Sequence, residues 1–457
     1  MKLRPGLMVA VAATCIAAGA GRAQYVEDSI EVPGAWVGSM TYNSRADVVY
    51  GASEAANGVF AIYCPNNIMF RNLAANDARC VVYDSIDNKA YASFGWYGDE
   101  SLRVIDGQNH IITGSLSVPG ANVLVWEPTR DRLYVTCTNQ NRVAVVDCAS
   151  DSVIAQIAVG AAPIKLHLNP LRGKLYVQNY DNGSVSVIDL ATNQVIKAIQ
   201  VSGSPNAGYY ASHVDRYYCA GDHAIKVIDG LTDSVVAQVS IMPGTVDAIG
   251  GSDETDLVLA EDYNGPTVLY AIDAMADTLI SSQNVSSEIY SIVCGPSTGL
   301  LYCVNTDLAS VSVVDPVSAL VVDTLQVGDA PFVLLPVPVH GRIYLGHLNV
   351  DKVYVIIDSS TGVAENGDGA RLRLPGLAAS PNPFSQSVAV IWNSPMKRDR
   401  VARVYAQDGR LVRQARIPVG EARWVWDGRD DSGAPLPPGV YVLQTGPSVR
   451  AKVVKLK

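Results

Sequence analysis

The stretch Gly160–Val201, GAAPIKLHLNPLRGKLYVQNYDNGSVSVIDLATNQVIKAIQV, decides the fold of this chain. It contains four short segments in which apolar and polar residues alternate, separated by turn residues such as those of 170–173, PLRG. The third segment is Val185–Asp189 and the fourth is Gln194–Val201. Alternation with a period of two, β-branched residues and closely spaced turns predict four antiparallel strands within these 42 residues.

The third segment recurs along the chain as an apolar strand that ends in aspartate. A weaker earlier copy, Val59–Tyr63, precedes the first of these aspartates by 43 residues. Four short strands per repeat of this size are typical of one propeller blade, and no unit shows a helical period. We therefore predict an all-β fold with an eight-bladed β-propeller, or seven blades if the weak first copy belongs elsewhere. The repeat aspartates are spaced by 40–44 residues and are Asp106, Asp147, Asp189, Asp229, Asp273, Asp315 and Asp358.

The last repeat lacks a fourth strand. It runs from Gly328 to Asp358 and then changes into the polar, glycine-rich segment 359–369. Near the other end of the chain, Val26–Val32 has a strand pattern but belongs to no repeat. Pairing this segment with the last repeat would close the ring and remove an exposed sheet edge. We expect the propeller to span residues 24–360, and a ring closed in this way needs no partner, so we expect a monomer.

The first residues have the layout of a secretory signal peptide. Lys2 and Arg4 precede the apolar run Leu7–Ala20, and Gly21 and Ala23 place small residues around a cleavage site. The run is too short to span a membrane, so residues 1–23 are expected to direct export and to be removed. A buried N-terminal helix is the alternative, and the residues before Cys15 fit a lipid-anchor signal poorly.

Charge is distributed unevenly along the chain. The net charge of -10 combines -21 in residues 24–365 with +8 in residues 366–457 and +3 in the first 23 residues. An acidic main region argues against nucleic acid as a partner. The basic end coincides with a new strand pattern that has no 42-residue repeat, which indicates a second unit over 375–457 joined by a linker at 361–374.

The repeats resemble the YVTN family of bacterial surface β-propellers. The closest matches to the naming tetrad are Tyr134–Cys137 and Tyr176–Asn179, each differing at one residue, and Tyr302–Asn305, which differs at two. The resemblance covers about residues 33–358 and implies a propeller fold. It says little about activity, because propellers serve many unrelated functions.

The C-terminal unit reads as six or seven short strands with Asp-Gly and Pro-Gly turns, forming a small β-sandwich. Its glycines Gly409, Gly428, Gly433 and Gly439 fall where turns would need a positive φ. In order and spacing, its landmarks resemble the sorting domain of type IX secretion cargo, which is related to the immunoglobulin-like domain of flagellar hook capping proteins. The residues that carry the resemblance are Pro381, Asn382, Pro383, Phe384, Gly409, Trp426, Asp427, Gly428, Gly433, Gly439, Tyr441 and Lys457.

The resemblance implies recognition of this unit by an outer-membrane export machine, followed by release or attachment at the surface of a Gram-negative-type bacterium. A purely structural sandwich is the alternative. The basic, arginine-rich strands depart from an average sorting domain.

The aspartates, cysteines, acidic pairs and histidines are the residues that could carry chemistry. The repeat aspartates are expected to fix their own turns by accepting backbone N–H groups two residues on, rather than to bind metal. Cys294 and Cys303 flank a short turn and could form a disulfide, although strand cysteines are more often buried hydrophobes. Glu261 and Asp262 are expected in a solvated turn. The six histidines are scattered, and His167 and His340 are expected to pack within first-strand regions; the others are His110, His213, His223 and His347.

No nucleophile elbow, phosphate-binding glycine loop or haem attachment motif is present, so the sequence predicts no cofactor, no metal and no catalytic residue. Two functions follow. The first is an exported or surface-attached, non-catalytic propeller that binds a protein or glycan at one mouth of the ring. The alternative is a propeller hydrolase of the lactonase kind, with carboxylates and a metal near the axis.

Overall fold

The computed structural model consists of strands, turns and two single-turn 3-10 helices in the part of the chain that it describes. None of the helices in that part is long and apolar enough to cross a membrane. The described residues are 24–34, 36–54, 58–73, 77–94, 101–221, 223–241, 245–252, 255–263, 267–285, 287–359, 378–380, 387–391, 400–406, 410–418, 423–444 and 450–455. The expected signal peptide, 1–23, and the linker, 361–374, lie outside them.

Residues 25–357 form eight four-stranded antiparallel sheets, named sheet 1 to sheet 8 in chain order. Sheet 1 consists of β2 (Val37–Asn43), β3 (Val48–Ser53), β4 (Gly58–Tyr63) and β5 (Ile68–Asn72). Sheet 2 consists of β6 (Ala78–Asp84), β7 (Lys89–Phe94), β8 (Ser101–Asp106) and β9 (Ile111–Ser117). Sheet 3 consists of β10 (Ala121–Glu127), β11 (Arg132–Cys137), β12 (Arg142–Asp147) and β13 (Ser152–Ala158). Sheet 4 consists of β14 (Pro163–Asn169), β15 (Lys174–Asn179), β16 (Ser184–Asp189) and β17 (Gln194–Gln200).

The remaining sheets repeat the same order of strands. Sheet 5 consists of β18 (Gly208–Ala211), β19 (Arg216–Gly221), β20 (Ala224–Asp229) and β21 (Ser234–Ser240). Sheet 6 consists of β22 (Thr245–Ser252), β23 (Leu257–Tyr263), β24 (Val268–Asp273) and β25 (Thr278–Asn284). Sheet 7 consists of β26 (Ile289–Cys294), β27 (Leu301–Asn305), β28 (Ser310–Asp315) and β29 (Leu320–Gln326). Sheet 8 consists of β30 (Pro331–Val337), β31 (Arg342–His347), β32 (Lys352–Ile357) and β1 (Tyr25–Glu31).

The ring is closed by the start of the described chain. Strand β1 pairs antiparallel with β32, from Tyr25 opposite Ile357 to Glu31 opposite Lys352. This confirms the prediction that the unmatched N-terminal segment supplies the missing fourth strand. The innermost strands β2 and β30 also contact each other, as do all other consecutive innermost strands, so the eight strands enclose a central channel.

Hydrophobic side chains fill the space between the sheets. One buried cluster lies between each pair of consecutive sheets, including sheets 8 and 1, where Tyr344 and Val353 pack with Val37 and Phe60. Full burial of one such aliphatic side chain contributes about 1.5–3 kcal/mol. The alternating strands therefore assemble face to face, and the low charged fraction of the sequence reflects their mostly buried faces.

A tyrosine in the second strand joins most sheets to the next one. In Tyr176, for example, the buried hydroxyl donates to Oδ1 of Asp233, in the turn between the third and fourth strands of sheet 5, at 3.3 Å. In sheet 6 the position is occupied by Leu259. The tyrosines of the three tetrad-like motifs belong to this set, which comprises Tyr50, Tyr91, Tyr134, Tyr176, Tyr218, Tyr302 and Tyr344.

The repeat aspartates fix the turn that follows their own strand. Oδ1 of Asp189 accepts the N–H groups of Ala191 at 2.9 Å and Thr192 at 2.8 Å. Asp358, the last of the series, makes different contacts, described below. The same type of turn contact is made by Asp106, Asp147, Asp229, Asp273 and Asp315.

Two further sheets lie near the C-terminus. One contains β33 (Ala378–Ser380), β34 (Val388–Ile391) and β37 (Arg423–Trp426); the other contains β35 (Arg400–Ala406), β36 (Leu411–Ile417), β38 (Gly439–Gln444) and β39 (Arg450–Lys455). Residues of both sheets share one hydrophobic cluster around Trp426.

The described glycines of this region differ in conformation. Gly428 and Gly433 have φ values of 71° and 83°, as the turn pattern predicts. Gly439 begins β38 without a positive φ, so that part of the prediction is wrong, because the glycine belongs to the strand rather than to the turn. Gly409 lies outside the described residues.

The seven cysteines of the described residues are free thiols. Cys303 lies opposite Ile292, and Cys294 lies opposite Leu301, so the two are not cross-strand neighbours. The disulfide considered for this hairpin is therefore absent, and Cys303 is a buried core residue.

Candidate functional site

Each innermost strand, except the short β18, has an irregularity in its pairing near its first residues. In β6, Ala78 lies opposite Phe94 and Cys80 opposite Ser93, so that Arg79 is inserted between these two pairs. In β14, Ile164 is inserted in the same way. A bulge of this kind turns a side chain away from the regular alternation, and bulges are common beside functional sites.

The residues at these positions form a ring around one mouth of the channel. We call them the bulge ring and include Asn206, which precedes β18 at the corresponding position. Consecutive members are 41–43 residues apart, in step with the repeat. The bulge ring consists of Gly38, Arg79, Asn122, Ile164, Asn206, Asp247, Tyr290 and Phe332.

Four members of the bulge ring, Asn206, Asp247, Tyr290 and Phe332, lie next to one another across sheets 5 to 8. Nδ2 of Asn206 donates to Oδ1 of Asp247 at 2.5 Å. The hydroxyl of Tyr290 donates to Oε2 of Glu288 at 2.7 Å, and its ring lies 5.1 Å from that of Phe332, centroid to centroid. Tyr290 is 37% exposed. This arc of the mouth therefore presents two carboxylates, an amide and an aromatic pair.

The charges of this arc influence one another. Burial raises the pKa of Asp247, and nearby Glu288 raises it further, while the bond from Asn206 and the charge of Lys165 oppose the rise. Burial and the bond to Glu288 also raise the pKa of Tyr290, which therefore stays a neutral donor. The arrangement favours ligands that bring hydrogen-bond donors or positive charge.

Lys165 faces the arc from sheet 4. Lys165 is an exposed residue of β14, one of the eight innermost strands that surround the channel. Desolvation in this enclosed space lowers the pKa of its ammonium group, and Cys80 and Asp247, from sheets on either side, oppose that shift.

Glu261 is a buried carboxyl group beneath the arc. It lies in β23, opposite Ala248, and is 0% exposed. Neither carboxylate oxygen has a hydrogen-bond partner, although the N–H groups of Ile289 and Asp247 are close enough to oppose the effect of burial. Burial, with the charge of Asp247, raises the pKa of Glu261 to about 8. The group is therefore predominantly protonated at neutral pH.

The expectation of a solvated turn at Glu261 and Asp262 is wrong. Both residues belong to β23, and Asp262 is only 4% exposed. The strand continues past them because Ala260, Glu261 and Asp262 pair with β24. Burial raises the pKa of Asp262, while His223 lowers it.

The histidines do not converge on the bulge ring. His167 lies in β14 and packs at 5.2 Å from the ring of Tyr217. His340 lies in the 3-10 turn after β30, not in the first strand as predicted, and its Nε2 is 2.8 Å from Asp47. His347 is fully buried against Tyr354, and burial lowers its pKa to about 4. His110, His213 and His223 lie in turns.

The described residues of the sorting-type motif are structural in their contacts. Nε1 of Trp426 donates to the carbonyl of Arg429 at 2.9 Å, and its ring meets that of Tyr441 edge to face. The hydroxyl of Tyr441 donates to the carbonyl of Pro437 at 2.7 Å. Asp427 accepts the N–H of Arg429 at 3.1 Å. Pro381, Asn382, Pro383, Phe384 and Lys457 lie outside the described residues.

Sequence reasoning missed Asn206, Asp247, Glu288, Tyr290 and Lys165. They lie outside the motifs that the sequence makes obvious, near the starts of innermost strands. For Asn206, Asp247 and Tyr290 the available signal is the repeat: aligning the repeats on their aspartates places the bulge residues in one column, where Asn206 and Asp247 are adjacent members.

Apart from the bulge ring, a depression of about 340 Å³ lies away from the mouth of the channel. It is lined mainly by apolar residues of sheet 1, with Tyr63 and Phe70, and by His110 of sheet 2. The depression is concave, but few polar groups line it. The bulge ring is therefore the better candidate for a binding site.

Comparison with solved structures supports a β-propeller fold. The chain is similar to a protein described as "Structure of Dos1 propeller", with a TM-score of 0.61, 11% sequence identity, and coverage of 73% of this chain and 95% of that one. At this identity the likeness concerns the fold alone. No family model matches the chain, and no curated protein matches it.

Proposed function

We propose that this chain is an exported, non-catalytic binding protein, an eight-bladed propeller whose bulge ring holds its ligand. The observation that carries the proposal is the bond of Asn206 to Asp247 beside the Tyr290–Phe332 pair at one mouth of the channel. Each four-stranded sheet corresponds to one blade in this proposal. The ring acts as a monomer, because its edges are paired internally.

The chemistry of the arc favours a neutral or basic ligand rich in hydrogen-bond donors. Carboxylate and amide oxygens accept such donors, while an exposed aromatic ring can stack on an apolar face or a cation. The charge of -21 over residues 24–365 disfavours an acidic polymer. A neutral or amino-sugar glycan of a cell envelope fits these properties, and a basic protein segment is the second member of the class.

The binding test uses the chain without residues 1–23. Neutral, amino-substituted and uronic-acid oligosaccharides and basic peptides are titrated by calorimetry, and we expect heat of binding with the neutral or basic ligands only. Asp247→Asn and Tyr290→Ala should weaken binding by about tenfold or more, the effect of losing one good contact. Asp323→Asn, on the exposed outer strand β29, is the matched control. Binding of the acidic sugars alone, or equal binding by the Asp247 variant, would overturn the proposal.

A lactonase-like hydrolase remains the second candidate, because carboxylates lie near the axis and Glu261 has a pKa of about 8. A general acid with a raised pKa suits hydrolysis near neutral pH. However, Asp247, Glu261 and Glu288 do not form a group of potential ligand atoms within 4.8 Å of one another, among the residues the structure describes. Turnover of lactones that requires added metal and is lost in Asp247→Asn would establish this candidate over the first.

We further propose that the C-terminal unit directs export through a type IX secretion system, to the medium or the outer cell surface. The support is the signal-peptide pattern of 1–23 together with the order of motifs from Pro381 to Lys457. Deletion of 375–457 should leave the protein in the periplasm of a host that has this system. Normal export of the truncated chain would reject the proposal, while leaving the binding proposal intact.

A further inference from the structure

The end of the innermost strand opposite the bulge ring carries a recurrent polar contact. In sheet 1, Oδ1 of Asn43 accepts two N–H groups of its own turn, and Nδ2 donates to the carbonyl of Gly107 in sheet 2 at 2.9 Å. In sheet 4, Nδ2 of Asn169 donates to Oδ1 of Asp215 in sheet 5 at 3.2 Å. At this position, therefore, the side-chain oxygen accepts hydrogen bonds from its own turn, and the side-chain nitrogen donates one to the next sheet.

Asp84 occupies this position in sheet 2. Its Oδ2 stands where the asparagines have the Nδ2 donor. Oδ1 accepts the N–H groups of Ile86 at 2.7 Å and Asp87 at 3.2 Å, as in the asparagines. Oδ2 is buried without a hydrogen-bond partner, and the residue is 0% exposed. An unpartnered buried carboxylate oxygen is costly, so this oxygen calls for a proton or a cation.

Two further residues with potential ligand atoms meet Asp84 from sheet 3. The ligand atoms of Asp84, Asp131 and Cys148 all lie within 4.8 Å of one another. Cys148 is fully buried, and Asp131 accepts a hydrogen bond from Nε1 of Trp126 at 3.1 Å. Two carboxylates and a thiol from consecutive sheets thus face one small volume.

The surrounding charges leave the group without a dedicated counter-ion. Lys89 is close enough to interact with the charge of Asp84, but its Nζ is bound to the carbonyl of Cys148 at 2.8 Å and to Asp151 at 3.0 Å. The hydroxyl of Tyr91 donates to the same Asp151. Burial raises the pKa of both Asp84 and Cys148, and the further carboxylate of Asp87 adds to the effect on Asp84.

We propose that Asp84, Asp131 and Cys148 bind a zinc-class divalent cation that links sheet 2 to sheet 3. Zinc accepts carboxylate and thiolate ligands at about 2.0–2.3 Å in a tetrahedron, whose ligand atoms are then about 3.5 Å apart. The present separations, which are at most 4.8 Å, must shorten by up to about 1.3 Å to reach that value. The thiolate excludes magnesium and calcium as preferred ions. On binding, the Cys148 thiol loses its proton to solvent and the sulfur bonds to the metal.

The chain contains an internal comparison for this site. Between sheets 8 and 1, Cys64 and Asp47 occupy the positions of Cys148 and Asp131, with the same bond from the cysteine N–H to the aspartate carbonyl. The position of Asp84 is filled there by Val337, the last residue of β30. That location lacks one ligand and should not hold the metal.

The test uses the chain without residues 1–23, first freed of metal by a chelator. Zinc is titrated and its stoichiometry measured by elemental analysis after gel filtration, and cadmium serves as a probe whose thiolate bond gives an ultraviolet charge-transfer band. We expect one ion per chain, release of the thiol proton, and a higher melting temperature. Cys148→Ser should abolish the cadmium band, whereas Cys64→Ser should retain it.

Asp84→Asn separates metal binding from folding. This change restores the arrangement of Asn43 and Asn169, so the metal-free variant should melt at or above the metal-free parent. It should also lose the rise in melting temperature with zinc, and its zinc affinity should fall by more than about tenfold, since even outer-shell losses cost 10–100-fold. Absence of stoichiometric zinc binding, a cadmium band that survives Cys148→Ser, or undiminished affinity in Asp84→Asn would each overturn the proposal.

Discussion

The hydroxyl of Tyr302 donates to Oδ1 of Asp358 at 2.8 Å and thereby ties the last sheet to the sheet before it. Asp358 also accepts the N–H groups of Ser297 at 2.6 Å and Thr298 at 3.1 Å, and the hydroxyl of Thr298. Six earlier repeat aspartates fix their own turns. Asp358 ends the third strand of sheet 8, whose fourth strand comes from the other end of the chain, and its carboxylate is used between sheets instead.

Asp358→Ala should therefore destabilise the ring more than the same change in another repeat. It removes four hydrogen bonds to a carboxylate that is 1% exposed, and we expect a loss of about 3 kcal/mol or more in the free energy of unfolding. Asp315→Ala removes an exposed turn contact and should cost about 1 kcal/mol. Urea unfolding followed by circular dichroism measures both, and equal losses would contradict the distinct role of Asp358.

Much of the architecture follows from the sequence because it depends on repeated local patterns. Period-two alternation and the aspartate spacing predicted the strands of every repeat, and the unmatched Val26–Val32 predicted the closing strand. The position of Gly439 was not predicted correctly, because a Pro-Gly pair marks a turn without saying on which side of the glycine the strand begins. The partners of Asp358 also required the structure, since they arise only from closure.

Closure of the ring should depend on apolar burial more than on its surface ion pair. Ile30 of β1 is 5% exposed within the cluster between sheets 8 and 1, and Ile30→Ala should cost about 2–4 kcal/mol. Glu27 lies 2.7 Å from Nε of Arg342, partly exposed, and Glu27→Gln should cost less than about 1 kcal/mol. Chemical denaturation at low and high salt tests both. A loss in Glu27→Gln that matches that of Ile30→Ala would show that the ion pair dominates.

Two glycines of the C-terminal unit should respond differently to the same substitution. Gly433 has a φ of 83° with open space around its Cα, so Gly433→Ala is opposed by backbone conformation alone, at about 1–2 kcal/mol. Gly439 has an ordinary strand conformation and equally open space, so Gly439→Ala should be tolerated. Thermal unfolding of the two variants, compared with the parent, decides the point; a loss confined to Gly439→Ala would contradict the observed turn.

The candidate site was harder to predict than the fold for a physical reason. Glu261 and Asp262 looked like a solvated pair because two adjacent acids usually face water. They are buried because β23 extends beside the bulge of β22, which places Asp247 next to Glu261. Asp247 becomes a neighbour of Glu261 only through the pairing of β22 with β23, so the local pattern around Glu261 does not reveal it.

The homologous positions of other sheets show what Glu261 replaces. Oγ of Ser93 accepts the N–H of Cys80 at 3.2 Å and donates to the carbonyl of Asn122 at 2.6 Å. Nε2 of Gln178 donates to the carbonyl of Ala207 at 2.6 Å. The position therefore suits a neutral side chain that both donates and accepts. A protonated Glu261 meets that requirement, and an ionised one does not.

Stability should consequently fall as pH rises through the range in which Glu261 must ionise. Its pKa is about 8 in the folded chain, against an ordinary glutamate value of 4.5, so the folded state holds the extra proton between these values. Within that window the group should lower the free energy of unfolding by up to about 1.4 kcal/mol per pH unit as pH increases. Glu261→Gln, which introduces the residue found at Gln178, should remove this contribution and be more stable than the parent at pH values near 8. Urea unfolding across this range, with the exposed Glu31→Gln as control, measures the difference; parallel pH profiles for the parent and Glu261→Gln would show that Glu261 is ionised throughout.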